Sequence, residues 1–315
     1  METRKIIAFG KSSYVLSLPR EWMDKHKLAK GDIIYVAEEL DRLTLSPASI
    51  KSEKEPIEIK ITTDGKSIDH IKREIISSYI NNVNVLYISG SDIRKKSKEI
   101  RHILHGLVAL EIMQESSDKI IAKDFLNMKD ISVVNLIRKI DIIVRSMFID
   151  SKEILAGKES EDIDQRDDDV NRLVFLVFRT VKAYLSDLSL MKNMKMELNE
   201  LLYAWNFTFN LEKSADFIKR LSRIFLKTQL TKQQKADLIS IFSKIEKNYL
   251  DTMKAFYNKD RELAFNVSDE RKEIMNSIDE LFEKLGEKDH LVFDMVSQLK
   301  SLMSTVHALT RICYG

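Results

Sequence analysis

Two pairs of polar residues in the helix-rich part of the chain have spacing that could do chemistry. Asp167, Asn171, Val174, Phe178 and Val181 step along one helical face by fours and threes, so two polar side chains open a stripe that then becomes apolar. Glu212 and Asp216 are again four apart and border a second stripe, Leu211, Ala215 and Ile218. Carboxylates beside a helix interface are unfavourable unless compensated, and oxygen ligands from two helices suit a hard divalent metal such as Mg²⁺ or Mn²⁺, or iron. Salt bridging is the other account, because Arg166, Arg172, Lys213 and Arg220 lie close in sequence and such pairs are common on solvated faces.

A second set lies at the start of the chain. Residues 1–30 carry seven basic residues (Arg4, Lys5, Lys11, Arg20, Lys25, Lys27 and Lys30) against three acidic ones, Glu2, Glu21 and Asp24. The whole chain holds 51 Lys and Arg against 49 Asp and Glu, so bulk charge does not recruit nucleic acid and any such binding must be local. Gly10-Lys11-Ser12 has the tail of a phosphate-binding loop, but Lys5 stands where that motif needs glycine, and Gly65-Lys66-Ser67 fails in the same way at Lys60. Glu99 and His102 have the i, i+3 spacing of di-iron bundles, and His105 shares their face. The only other such pair, Glu287 and His290, is too few for that site, which leaves solvated or locally hydrogen-bonded histidines. A single cysteine, Cys313, excludes an internal disulfide. With no Ser/His/Asp or Cys/His arrangement, catalysis is not expected.

The elements that must position these residues differ between the two ends. Three prolines, Pro19, Pro47 and Pro56, punctuate the beginning, and none follows. Between Lys158 and Leu285 there is neither Pro nor Gly, the mark of long helices. Lys5–Phe9 and Tyr14–Leu18 read as strands joined through Gly10, Pro19 opens a short helix, and Ile33–Ala37 and Leu43–Leu45 read as two further strands around a polar turn at 38–41. So small a β-module buries little alone and, without cysteines or metal ligands, needs a partner chain. The middle reads as strand 57–61, helix 69–81, strand 83–88, helix 92–115 and strand 119–123. Beyond it two sets of three helices are expected, at 133–156, 160–185 and 198–226, then 232–257, 260–285 and 289–313. METRKII is no signal peptide, and the apolar LVFLVF (Leu173–Phe178) is bounded by Arg172 and Arg179, so the sequence predicts a cytoplasmic protein without membrane insertion.

Gly10-Lys11, Leu18-Pro19-Arg20, Leu28, Gly31-Asp32 and a closing hairpin resemble the AbrB/SpoVT swapped-hairpin DNA-binding domain, in which two chains interleave. That resemblance implies a homodimer through the N-terminal module with Arg4, Lys5, Lys11 and Arg20 facing DNA. Ser12-Ser13 departs from the pattern, since many members run straight into an apolar strand there. A module that only dimerises, its lysines solvated, is the alternative. RDDDVNRLVFLVFRTV and LEKSADFIKRL are similar to the second and third helices of PhoU-type domains, whose paired acidic motifs bind metal clusters. Carried over, those motifs fall on Asp167 and Asn171, where Asn171 replaces an aspartate, and on Glu212 and Asp216. In the second set Asp269 and Glu273 have the spacing, while Met303 and His307 stand where acids would be.

GLVALEIMQESSDKIIAKDFLN followed by SVVNLIRKIDIIVRSM resembles archaeal proteins that join an AbrB-like head to a PhoU-like body. The fold class expected is therefore multidomain and mainly α, comprising a swapped-hairpin β-module (residues 1–50), a small α/β segment (51–128) and two tandem three-helix bundles (129–229 and 230–315). The function this implies is a DNA-binding regulator of phosphate uptake with a PhoU-like sensing or docking body. Its runner-up is an adaptor for a phosphate-transporter ATPase or sensor kinase, in which the head only dimerises.

Overall fold

The structure, a computed structural model, describes residues 3–39, 42–47, 56–158, 163–186, 197–285 and 290–315. Outside them lie several features of the sequence reading: Glu2, the centre of the polar turn at 40–41, the module boundary at 50–51, the helix starts at Ser160 and Asp289, and Glu287. Two compact units result, Met1–Pro56 and Ile57–Gly315.

Among the described residues the first unit holds two antiparallel hairpins and one short helix. Strand β1 (Ile7–Phe9) pairs with β2 (Ser13–Val15), with Ile7 opposite Val15. Gly10 makes the turn between them at φ +73°, a left-handed conformation that favours glycine. Helix α1 (Arg20–Lys25) follows Pro19, which caps the helix in extended conformation instead of occupying its first turn. Asp32 accepts from the Ala29 amide at 2.7 Å and shapes the turn into β3 (Ile34–Glu39), which pairs with β4 (Arg42–Pro47). Before Ile61, Pro47 alone is buried among the side chains whose burial is described. Ile7, Phe9, Tyr14, Val36 and Leu43 all stand exposed.

The second unit begins with an α/β layer: β5 (Glu58–Thr62), α2 (Ile68–Ile80), β6 (Val85–Ser89), α3 (Ile93–His105), β7 (Leu110–Glu115) and β8 (Lys119–Asp124). The sheet order is β5-β6-β8-β7, with β5 and β6 parallel and the other neighbours antiparallel. Ser67 caps α2 by accepting from the His70 amide. Gly90 is fixed by close approach, because a Cβ there would lie 2.2 Å from Thr63 Oγ1. Ile71, Ile75, Leu86, Ile88, Ile100, Leu104, Ile120 and Ala122 form the core of this layer. The helix expected over 92–115 is instead helix to His105 and strand from Leu110. Gly106 ends the helix, Ala109 turns with φ +60°, and the remaining apolar residues fit the two-residue period of a strand.

The rest is helical: α4 (Val133–Leu155), α5 (Ile163–Ser186), α6 (Leu198–Lys227), α7 (Lys232–Asn258), α8 (Arg261–Asp269), α9 (Arg271–Leu285) and α10 (His290–Tyr314). Capping boxes open α6, through Glu197 and Glu200, and α7, through Thr231 and Gln234. The expected helix 260–285 is two helices. Buried Asn248 on α7 donates to the Val267 carbonyl at 3.0 Å and to Glu270 at 3.2 Å, taking an acceptor that a continuous helix would use, and the helix breaks at Glu270.

One apolar core draws on α4, α5, α6, α7, α9 and α10, so both three-helix sets contribute to a common interior across residue 229. Helix α5 serves both cores of the unit, presenting Val174, Val177 and Val181 to the bundle and Phe175 to the α/β layer.

Candidate functional site

Periodicity places Asp167 and Asn171 near the start of α5 and Glu212 and Asp216 in the middle of α6, and the structure brings Asp167, Glu212 and Asp216 into one electrostatic cluster. Its centre is a residue that sequence reasoning missed. Lys219, also on α6, donates from Nζ to the Asp167 carboxylate across the helix interface and lies 3.3 Å from Asp216 Oδ1. Asn171 donates to Asp167 Oδ2 at 3.1 Å, and Arg220 donates to Asp216 Oδ2 at 2.6 Å. The Asp167 and Lys219 side chains are 7% and 16% exposed, so this is a largely dehydrated pair.

Electrostatics follow from that burial. Desolvation pushes the Asp167 carboxyl up, against the opposing pull of Lys219. Glu212 is also raised, first by burial and then by the charges of Asp216 and Asp167. Burial works to lower Lys219, but its hydrogen bond to Asp167 and the charges of Asp167 and Asp216 outweigh that effect and hold it above the usual lysine range. The upward shift of Lys219 is the direction that its contact with two carboxylates requires, and it keeps the ammonium charged at neutral pH.

The metal implied by the PhoU resemblance does not fit this arrangement as it stands. Asp167 already accepts from Lys219 and Asn171, so a divalent ion would have to displace the ammonium. Among the described residues no group of three or more His, Cys, Asp or Glu side chains is arranged to hold one. Of the cations named from sequence, Arg220 does pair within the cluster, whereas Arg166 pairs with Asp150. The signal for Lys219 was its position three residues after Asp216 and seven after Glu212, on the same helical face. In the second set Asp269 and Glu273 fall on opposite sides of the break at Glu270, Glu273 pairs with Lys244 at 3.2 Å, and Met303 is fully buried.

A second buried ion pair was also missed. Arg179, on α5, donates to Asp124 at the end of β8 and, through Nε, to Asn82 at 3.2 Å. Its guanidinium lies 4.5 Å from the Tyr79 ring centroid, and burial pushes the Tyr79 phenol up to about 12. An arginine inside the apolar run LVFLVFRTV was the available signal. His102 and His105 are exposed and, with Lys72, Asp168 and Arg172, line a cleft of about 350 Å³ between the α/β layer and α5.

In the first unit Arg4 and Lys5 precede β1, Lys11 lies in the β1–β2 turn and Arg20 opens α1; all four are exposed. Arg20 reaches Asp24 at 3.8 Å on the helix surface. No helix among the described residues is long and apolar enough to cross a membrane. Compared with families of known proteins, with curated proteins and with solved structures, the chain matches none.

Proposed function

We propose that the chain is a homodimeric, DNA-binding regulator of phosphate uptake, whose N-terminal unit contacts DNA and whose helical unit senses or docks a signal. The observation that carries the reading is the first unit's exposed apolar strands, Ile7, Phe9, Tyr14, Val36 and Leu43 among them, beside exposed Lys5, Lys11 and Arg20. Hairpins that bury so little alone gain a core by interleaving with a second copy, and a two-fold pair sets two basic faces at the spacing of a palindromic site. The link to phosphate rests on the resemblance of the helical segments, and the reading requires no catalysis.

Phosphate contacts release counterions, so binding to the chain's own promoter DNA should weaken steeply with salt, and replacing Arg4, Lys5 and Lys11 together by alanine, in both protomers of the dimer, should flatten that slope by about 5. Absence of binding at low salt, or binding indifferent to the triple substitution, would end the DNA reading. One observation favours the adaptor alternative: Ile142 and Ile149, seven apart on α4, are 63% and 53% exposed, an apolar strip on the helical body suited to docking a transporter ATPase or sensor kinase.

A further inference from the structure

At one end of the helical bundle, where α4, α6, α7 and α10 meet, lies a cavity of about 640 Å³. That volume falls within the range of about 300–1,000 Å³ typical of sites for small organic molecules. Its walls are apolar, including Ile137 on α4, Ala204 on α6, Phe256 on α7 and Ile312 on α10. Arg138 and Arg261 line it as well, as do Lys259 and Glu200. Arg138 lies over the Tyr257 ring at 5.3 Å, and that ring is itself fixed, because the Tyr257 hydroxyl donates to buried Asp141 at 3.0 Å. Asp141 also accepts from Tyr249 at 2.9 Å and Arg145 at 2.8 Å, so the support behind Arg138 is a closed polar network. Arg261 donates to the Tyr314 carbonyl at 2.9 Å. Neither Arg138 nor Arg261 forms an ion pair among the described residues, whereas the third cation, Lys259, reaches Glu200 at 3.8 Å.

A largely apolar chamber lined by three cationic side chains against one carboxylate, Glu200, which Lys259 already engages, carries a surplus of positive charge and favours one class of molecule. We propose that this cavity binds a small anionic amphiphile, a monocarboxylate with an alkyl or aryl body, its tail among Ile137, Ala204, Phe256 and Ile312 and its carboxylate on Arg138 and Arg261. Guanidinium forks pair carboxylates in two-point geometry, and the apolar wall supplies the non-directional part of the affinity. The site is independent of DNA binding and stands if that reading fails.

Calorimetric titration of the full chain with octanoate tests it, with octylammonium as a probe of the same tail and opposite charge. Octanoate should occupy one saturable site, and octylammonium should bind at least tenfold more weakly. Arg138→Glu, which reverses the charge, and Val134→Trp, which obstructs the cavity from an exposed position, should each weaken octanoate at least tenfold while leaving the helical circular dichroism and melting midpoint in place. Arg138→Ala replaces the first variant if charge reversal disturbs folding. Absence of a saturable octanoate site, equal binding of octylammonium, or octanoate binding unchanged in either substitution overturns the proposal.

Discussion

The ammonium of Lys219 on α6 is hydrogen-bonded to the buried carboxylate of Asp167 on α5, closing across a helix interface an acidic cluster that also holds Glu212 and Asp216. Replacing Lys219 by methionine leaves those carboxylates without their main counter-charge. Breaking a buried pair in this way costs about 3–5 kcal/mol, and the partial exposure of Lys219 sets the expected loss near the lower bound. Urea unfolding at pH 7 measures it. The same variant should gain thermal stability from millimolar Mn²⁺, while the wild type should respond neither to Mn²⁺ nor to EDTA. A wild-type midpoint that falls on chelation would show that metal, not the ammonium, closes the site.

Glu212 supplies a pH signature. Its carboxyl is raised in the folded chain, so the fold prefers the protonated form, and stability is lost as pH rises from the ordinary glutamate range through the raised value. Glu212→Gln should therefore increase the melting temperature at pH 7, on the order of 2 °C, and the gain should vanish at about pH 3, where the wild-type group is protonated in both states. Lys219, raised in the fold, behaves oppositely: its contribution is complete below the ordinary lysine range and is lost as alkali carries the pH above its raised value. An equal Glu212→Gln effect at about pH 3 and at pH 7 would contradict the account from burial and like charge.

Arg179 and Asp124 tie α5 to the end of β8 while almost fully buried. Asp124→Ala strands the guanidinium and should destabilise by about 3–5 kcal/mol, whereas the double variant Arg179→Met, Asp124→Leu should recover most of that loss. A double-mutant cycle in urea, built from Asp124→Leu, Arg179→Met and the two together, reads the coupling directly. Additive single effects would mean that the pair contributes nothing as a pair.

Gly90→Ala forces a methyl group against Thr63, whose hydroxyl is held by Asp92. Overpacking of this kind typically costs about 1–3 kcal/mol. Thr63→Ser together with Gly90→Ala leaves the clashing Oγ in place, while Thr63→Ala with Gly90→Ala removes it and should restore part of the stability.

Most of the helical framework was legible because its signals are local. The run from Lys158 to Leu285 lacks Pro and Gly, and its apolar residues recur at helical spacing, so α6 and α7 end within a residue of the expected bounds. What was missed depends on contacts across the chain. The break at Glu270 is made by Asn248, a residue of a different helix, and the acidic cluster is closed by Lys219, which sequence order did not single out from the neighbouring cations. The boundary between α3 and β7 was misread because Leu104, Leu107 and Leu110 keep a helical spacing that suggests one element, although Gly106 interrupts it.

The contrast in burial between the two units separates two kinds of stability. The unit from Ile57 onward encloses its own apolar interior, which needs no second copy to be buried. The hairpins before it leave Ile7, Phe9, Val36 and Leu43 in solvent. If a second copy covers them, their order becomes a second-order quantity, set by how much of the chain is present. Abundance would then act as an input in its own right: dilution would melt the head while the body remained folded, and accumulation would restore it without any other signal.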